Sequence, residues 1–300
     1  MMQVRSRKGV ALLITLFFII AITAAVGVSL MNLKKSGDAL HEARFLLQSG
    51  AIVEDVIALM KEADKMGSVS DADTLSIFLM TAGFIPLELK ELLVKIEVTS
   101  TMGHLNINVL QQSKVLQDAF IAYLIRFNVQ DAYFLSDLLI DSMGGYKESY
   151  KTNIFDELPE LYRERIVSRR HLDKILDFYT KERHDGAVTK VPWNDLVRFD
   201  DNNVTTVDAN YITPALWQLY LPDINDERAL NLAAGDVTYN GVDDLGLSPD
   251  EKVVLSKYTI SYFQPTVHVD IAIMEHNSSA HIAYDYDLST KKGKHFEYGI

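Results

Sequence analysis

One uninterrupted apolar run dominates the start of the chain. Residues 10–31 contain no charged side chain, and a helix of that length crosses a hydrocarbon layer of roughly 30 Å. Apolar residues then recur mostly at spacings of three and four as far as Met60, no proline interrupts residues 10–66, and Gly67 is the first helix breaker. The pattern predicts one long helix that is a membrane span in its first half and amphipathic in its second.

The residues before this run decide what kind of membrane signal it is. A secretory signal has an apolar core of roughly 7 to 15 residues and is removed at a small-residue site. The run is too long for that, although Ala24 and Ala25 mimic part of such a site. A short basic leader ending in Gly9 precedes it, and its positive charges favour a cytoplasmic location. Two interpretations stay open: cleavage after Gly9, or an uncleaved signal anchor.

Alternating apolar and polar residues predict strands in two separate parts of the chain. Segments 92–99 and 104–109 alternate on either side of Met102-Gly103, which predicts an antiparallel hairpin. The alternation returns at 253–263, 266–274 and 280–286, with 294–298 as an edge strand. Together they predict an antiparallel sheet that packs on the amphipathic half of the long helix.

Helical periodicity replaces alternation between these two parts. The predicted helices cover 113–127, 131–143, 171–179, 213–221 and 227–234. In the fourth, Thr213 is the expected N-cap and Pro214 the first helical residue. The sequence therefore predicts an α+β fold. Its parts are a leader (1–9), a transmembrane half-helix (10–31), an amphipathic helix with the first strands (32–110), an inserted helical domain (111–235) and a C-terminal sheet (236–300).

The composition excludes several functions. The chain has 41 acidic and 29 basic residues, a net charge of −12, and no cysteine. Nucleic acid is an unlikely partner because binding it requires clustered positive charge, and disulfides, cysteine zinc sites and thiol catalysis are excluded. The sequence lacks the Gly-x-Ser-x-Gly, His-Glu-x-x-His and phosphate-loop motifs, so we expect no enzyme.

Two groups of residues are candidate metal ligands. Asp236, Asp243 and Asp244 lie in an acidic loop that offers the oxygen ligands calcium requires, without the EF-hand spacing. His276 and His281 flank the turn at 277–279 and could face each other across a hairpin. For both groups the alternative stays open: a solvated loop for the aspartates, and two hydrogen-bonded surface histidines without a third ligand.

The basic leader, Gly9 and the uninterrupted apolar helix resemble those of type IV pilin-like proteins. In that superfamily a prepilin peptidase cuts after the glycine, so Val10 is the implied first mature residue and the implied site of N-methylation. Most members carry glutamate at the fifth mature position, where this chain has Ile14. A carboxylate in hydrocarbon is tolerated only when it is paired, and a subunit with none ahead of it has no use for that charge.

Further segments resemble the K-type minor pseudopilins of type II secretion systems, which usually lack this glutamate. The similar segments are 42–50, 105–108, 144–150, 167–172 and 260–263. The chain departs from the family at Val207-Asp208-Ala209-Asn210, where the family more often reads like a second Ile-Asn-Val-Asn-Thr.

This resemblance implies a mechanical function. A K-type protein is a minor pseudopilin at the tip of the secretion pseudopilus, which starts pseudopilus assembly and supports export across the outer membrane. The implied partners are the I- and J-type minor pseudopilins, the major pseudopilin and the prepilin peptidase. The implied location is the bacterial inner membrane, crossed once, with the C-terminal domain in the periplasm, and relatives use calcium to order loops. The rivals are a minor pilin of a type IV pilus and a signal-anchored periplasmic enzyme.

Overall fold

The computed structural model describes residues 39–65, 69–89, 92–144, 150–200, 204–275 and 278–299. They form two compact units. The sheet unit contains the described residues up to Thr101 and those from Pro265 onward, and the inserted unit is Met102–Gln264. Gly9, Val10, Ile14 and the apolar run 10–31 lie outside the described residues. Within the described ranges, none of the helices combines the length and the apolar character that crossing a bilayer requires.

Helices and strands alternate in blocks along the chain. The helices are α1 (Ala39–Lys65), α2 (Ala72–Ala82), α3 (Lys114–Arg126), α4 (Ala132–Ser142), α5 (Ile154–Glu157), α6 (Arg169–Arg183), α7 (Trp193–Leu196), α8 (Pro214–Tyr220), α9 (Asp226–Ala233) and α10 (Pro249–Leu255). The strands are β1 (Phe84–Leu89), β2 (Leu92–Ser100), β3 (Leu105–Asn106), β4 (Val197–Arg198), β5 (Val207–Asp208), β6 (Ile260–Ser261), β7 (Thr266–Glu275), β8 (Ser278–Asp287) and β9 (Lys292–Gly299). Short 3-10 helices cover Ile107–Gln112, Gly186–Lys190 and Val242–Leu245.

The sheet unit contains one antiparallel sheet in the order β1-β2-β7-β8-β9. The predicted hairpin between 92–99 and 104–109 is wrong, because β2 pairs with β1 and β7 instead. Residues 104–109 belong to the inserted unit, where they form β3 and the start of a 3-10 helix. Strand β1 was not predicted from the sequence because Pro86 lies inside it, and proline is tolerated in a sheet mainly on an edge strand such as this one.

One face of this sheet is covered by α1. Phe45, Ile52, Val56 and Met60 are almost fully buried on the helix, at spacings that place them on one side. The helix contacts β8, and the buried residues of the sheet alternate along the strands: Val94, Ile96, Val98, Val267, Val269, Ile271, Ile273, Ala280, Ile282, Tyr284 and Tyr286. The period of two aims all of these side chains at the same face. The predicted mixture of helices with an antiparallel sheet is confirmed.

The inserted unit leaves the sheet between two neighbouring strands. Ser100 at the end of β2 is the register partner of Val267 in β7, so in chain order the inserted unit takes the place of a short connection between two paired strands. Neighbouring strands lie about 4.8 Å apart, so the two ends of the inserted segment are close together. A long segment can therefore connect them without changing the register of the sheet. The sequence placed the insert at 111–235, whereas the unit also includes β3 before that range and α10 and β6 after it.

The predicted strand at 253–263 is wrong over its first part. The chain forms α10 there, and only Ile260–Ser261 is extended. The physical reason is local: Ser248 caps the helix, Pro249 is its first residue, and the Glu251 side chain accepts the Ser248 N–H at 2.7 Å to complete a capping box. The apolar alternation of this segment misled the prediction because a short helix also buries only some of its residues.

Candidate functional site

The acidic loop predicted to bind calcium is held by its own hydrogen bonds. The Asp244 carboxylate accepts the backbone N–H of Asn240 at 2.8 Å and of Gly241 at 3.1 Å. These bonds cap the 3-10 helix Val242–Leu245. One of the three predicted ligands is therefore already used as a helix cap.

The other two predicted calcium ligands do not join it. The exposed Asp243 carboxylate accepts a hydrogen bond from the Lys252 ammonium at 2.5 Å, and this bond lowers the pKa of Asp243. Asp236 is exposed. In the described residues, the carboxylates of these three aspartates do not converge within 4.8 Å of one another. The donors do not form a calcium cage in this conformation, and calcium binding stays a prediction from the sequence.

The predicted histidine pair is only partly described. His276 lies outside the described residues, and the Nε2 atom of His281 lies 2.6 Å from a carboxylate oxygen of Asp270 on β7. His281 is therefore hydrogen-bonded on the sheet surface, which was the alternative to a metal site.

A second histidine cluster on the same sheet was not predicted. The buried Asp285 carboxylate, on β8, lies 2.9 Å from Nδ1 of His268 on β7 and 2.9 Å from Nδ1 of His295 on β9. A bulge opposite 283–285 and a left-handed backbone at His295 (φ 55°) turn this imidazole towards Asp285. Because a bulge changes which residues face each other, strand periodicity alone does not reveal the cluster.

The two imidazoles change the ionisation of this carboxylate. Burial by itself would raise the pKa of Asp285, but the hydrogen bonds and charges of His268 and His295 outweigh it and lower the pKa to about 2. The hydrogen bond with Asp285 raises the pKa of His268 against the opposing effect of burial. The cluster ties three strands together by charge-assisted hydrogen bonds, which is a structural role.

A buried asparagine organises the first part of the inserted unit. The Asn108 amide nitrogen donates to the carbonyls of Ile166 and Asp200, both at 2.9 Å, and its carbonyl oxygen accepts the Ile166 N–H at 2.8 Å. Two residues earlier, Asn106 accepts the Asn108 N–H at 3.2 Å and donates to the Val204 carbonyl at 3.1 Å. These side chains join the start of β3 to segments that lie far away in sequence.

The same arrangement recurs about a hundred residues later. The Asn210 amide nitrogen donates to the carbonyls of Tyr239 at 3.0 Å and Tyr262 at 2.9 Å, and its carbonyl oxygen accepts the Tyr239 N–H at 2.6 Å. Asp208, two residues earlier, accepts the Asn210 N–H at 3.0 Å. Asn108 and Asn210 therefore make the same set of three bonds, and we call 105–200 the first half and 207–262 the second half of the inserted unit.

The secondary structure of the two halves agrees with this correspondence. Each half starts with a short strand that pairs in parallel with its last strand, β3 with β4 and β5 with β6. Between the strands each half has three capped helices, α3, α4 and α6 in the first and α8, α9 and α10 in the second. The caps correspond in order: Ser113, Asp131, Ser168 in the first half and Thr213, Asn225, Ser248 in the second.

The sequence contains a signal for this repeat in the segments 105–108 and 207–210. Asn106-x-Asn108 and Asp208-x-Asn210 share one pattern, an acceptor side chain two residues before an asparagine whose backbone N–H it accepts.

Comparisons with known proteins bear on the fold. No protein-family model matches the chain, and no curated protein matches it in sequence. A chain in the crystal structure of the GspK-GspI-GspJ complex from the type 2 secretion system of enterotoxigenic Escherichia coli is similar, with a TM-score of 0.58 and 13% sequence identity. The similarity covers 87% of this chain and 98% of that chain. The protein therefore has a GspK-like fold.

Proposed function

We propose that the chain is a K-type minor pseudopilin at the tip of a type II secretion pseudopilus, where it initiates assembly and supports export across the outer membrane. The observation that carries the proposal is the GspK-like fold: a long helix on an antiparallel sheet, with a second unit inserted between β2 and β7. The role is mechanical, and the proposal assigns no catalytic residue.

The N-terminal residues support this position in the filament. Residues 10–31 supply a single inner-membrane anchor that leaves the remainder in the periplasm. A prepilin peptidase cuts after Gly9, and Val10 becomes the methylated first residue. Ile14 offers no carboxylate to a subunit ahead, which suits a subunit at the end of the filament.

The partners follow from the same proposal. The similar structure is a complex of GspK with GspI and GspJ, so I- and J-type minor pseudopilins are the proposed neighbours of this chain, and the major pseudopilin joins below them. The amphipathic helix α1 exposes Leu47, which has 68% of its surface accessible, on the side away from the buried Phe45 and Ile52. A large apolar residue exposed in this way is suited to packing against a neighbouring helix.

Deletion and copurification test the proposal. In a strain that depends on the chain, deletion should stop secretion, and the membrane-extracted chain should copurify with I- and J-type minor pseudopilins. Leu47→Glu should weaken copurification, whereas Glu97→Gln, at an exposed position of β2 and not on this helix, should not. Normal secretion in the deletion strain together with a defect in a surface pilus would assign the chain to a type IV pilus instead.

The N-terminus provides a separate test. Mass spectrometry of the mature chain should give a product that starts at Val10 and carries one methyl group. An intact leader, or a cut after Ala25, would contradict the pseudopilin assignment.

A further inference from the structure

Two pairs of residues in the inserted unit have the composition of a self-modifying backbone. The sequence contains a single asparagine followed by glycine, Asn240-Gly241, and a single aspartate followed by glycine, Asp185-Gly186. In such a pair the glycine nitrogen can attack the side-chain carbonyl carbon of the residue before it, because glycine has no side chain to obstruct the approach. The product is a five-membered succinimide ring, and the fold decides whether the two atoms can meet.

The Asp185-Gly186 pair is held against this reaction. The Asp185 side chain is only 3% exposed. Its carboxylate accepts three hydrogen bonds of 2.8 Å, from the backbone N–H groups of Gln130 and Ala187 and from the Tyr179 hydroxyl. Both carboxylate oxygens are engaged, so the side chain cannot turn towards the Gly186 nitrogen without breaking buried hydrogen bonds. We expect no reaction at this pair.

The Asn240-Gly241 pair is restrained by one exposed carboxylate. The Asn240 side chain is exposed and makes no hydrogen bond within the described part of the chain. The Gly241 N–H, which must be released before its nitrogen can attack, donates to Asp244 at 3.1 Å. The Asn240 N–H donates to the same carboxylate oxygen at 2.8 Å. Asp244 therefore fixes the peptide groups on both sides of the Asn240 Cα atom.

We propose that Asn240 is a site of spontaneous deamidation and that the Asp244 carboxylate slows the reaction. When the cap opens, the Gly241 nitrogen gives its proton to the solvent and forms a bond to Cγ of Asn240. The bond from Cγ to the side-chain nitrogen breaks, and this nitrogen takes up a proton and leaves as ammonia. Water then opens the succinimide at either carbonyl and gives aspartate or isoaspartate. The net reaction consumes one water molecule and releases one ammonia molecule.

The conversion changes the second half of the inserted unit. It adds a negative charge near Asp244, and isoaspartate lengthens the backbone by one carbon just before the 3-10 helix Val242–Leu245. The preceding residue, Tyr239, is the one whose backbone N–H and carbonyl bind the Asn210 side chain. The modification therefore weakens the cap and lies next to the central amide of this half. The proposal is independent of the tip assignment, because it concerns only this loop.

Peptide mapping by mass spectrometry tests the proposal on the complete, detergent-solubilised chain after prolonged incubation in mildly alkaline buffer. The peptide that contains Asn240 should gain about one dalton and separate into an aspartate and an isoaspartate form. The peptide that contains Asp185 is the internal control, and enzymatic methylation of isoaspartate should leave it unlabelled.

Variants identify what controls the rate. Asp244→Ala should accelerate the deamidation about tenfold, because losing a charge-assisted hydrogen bond raises the population of the open cap. Asp243→Ala is the matched control and should keep the wild-type rate, because the carboxylate that it removes binds Lys252 instead. Gly241→Ala should abolish the conversion, since the fold has room for the added methyl group but that group obstructs the attack.

Four results would each overturn the proposal. They are no mass increase at Asn240 in wild type and in Asp244→Ala, a slower reaction in Asp244→Ala, an equal acceleration in Asp243→Ala, and undiminished conversion in Gly241→Ala. A slower reaction in Asp244→Ala would mean that the carboxylate acts as the base for the Gly241 N–H. Gly241→Ala keeps the test decisive if Asp244→Ala disrupts the loop.

Discussion

The two halves of the inserted unit solve one structural problem with different side chains. In both, an amide two residues after the first strand makes three hydrogen bonds to distant backbone groups, through the buried Asn108 in the first half and the partly accessible Asn210 in the second. The residue two positions before this asparagine differs between the halves. It is Asn106 in the first half and Asp208 in the second. Each choice fits the hydrogen-bond partners that its own half provides.

The difference follows from donors and acceptors. Asn106 must donate to the Val204 carbonyl as well as accept the Asn108 N–H, which an amide does and an ionised carboxylate cannot. Asp208 accepts only, taking the N–H groups of Asn210 at 3.0 Å and Gln264 at 2.7 Å. The carboxylate at Asp208 therefore has a structural explanation in the Gln264 N–H, which it satisfies.

The strongest test of the correspondence is to remove both central amides. Asn108→Ala should lower the free energy of unfolding by about 3 kcal/mol, because it leaves one N–H and two carbonyls unpaired at a fully buried site. Asn210→Ala should cost about 2 kcal/mol, because its site is partly accessible and water can replace some bonds. Denaturant unfolding of the purified chain measures both.

Asn231→Ala, at an exposed position of α9, is the control and should stay within about 0.5 kcal/mol of wild type. If Asn210→Ala proved as damaging as Asn108→Ala, burial would not be what distinguishes the halves.

Exchanging the residues at the first position of the pattern should reveal their different chemistry. Asn106→Asp should cost about 2 kcal/mol, because it places a carboxylate against the Val204 carbonyl and removes a donor. Asp208→Asn should cost only about 1 kcal/mol, because losing an acceptor for the Gln264 N–H is partly offset by removing a buried charge. Thermal unfolding gives the order of the two variants, and the reverse order would contradict the donor and acceptor assignment.

The loop before the third helix of the second half allows a test of the calcium prediction. Asp244→Asn should lower stability by about 1 kcal/mol, because it weakens the cap on Asn240 and Gly241. If Asp244 is only a cap, the loss will be equal with excess calcium and with a chelator. A loss that grows in calcium would instead establish the predicted site in this half.

The smallest expected effect is a pH dependence of the stability difference between Asp208→Asn and wild type, which concerns the second half. Burial raises the pKa of Asp208 although the hydrogen bonds from Asn210 and Gln264 oppose it. A carboxyl group with a raised folded pKa contributes stability that is fully present below its unfolded pKa of 3.8 and is lost as the pH rises through the folded value. The stability deficit of Asp208→Asn relative to wild type should therefore widen as the pH falls from neutral towards about 4.

Melting temperatures of wild type, Asp208→Asn and Asn106→Ala across this range measure the effect. Asn106→Ala should show a constant deficit, because no titrating group is changed. If the stability deficit of Asp208→Asn relative to wild type instead became smaller as the pH falls, the N–H donors rather than burial would control the ionisation of Asp208.

The helices of the inserted unit were predictable because their signals are local. Thr213 caps α8 and Pro214 is its first residue, both as predicted, and the helix predicted at 113–127 is present as α3 with Ser113 as its cap. Periodicity, caps and proline act over one or two turns, so the sequence contains them in full. The strand prediction at 253–263 failed for the same kind of reason, since the capping box at Ser248 was present but was not weighed against the apolar alternation.

The pairing of strands and the convergence of side chains at a site were not predictable from local signals. Alternation in 104–109 is real, but it could not show that β2 pairs with β7, whose residues lie beyond the whole inserted unit. The candidate sites have the same limitation. The carboxylates of Asp243 and Asp244 are adjacent in sequence, yet one pairs with Lys252 and the other caps a turn.

By itself the sequence determined the amphipathic helix, the mixture of helices with an antiparallel sheet, the presence of a helical insert and the resemblance to pilin-like proteins. These features follow from the period of the apolar residues, the distribution of charge and the lengths of the segments along the chain. Only the tertiary structure decided that the insert connects two neighbouring strands of the sheet, that its halves repeat one hydrogen-bonding plan, and that Asp243 and Asp244 take different partners. These features depend on which distant backbone and side-chain groups meet, and no spacing along a single chain specifies that.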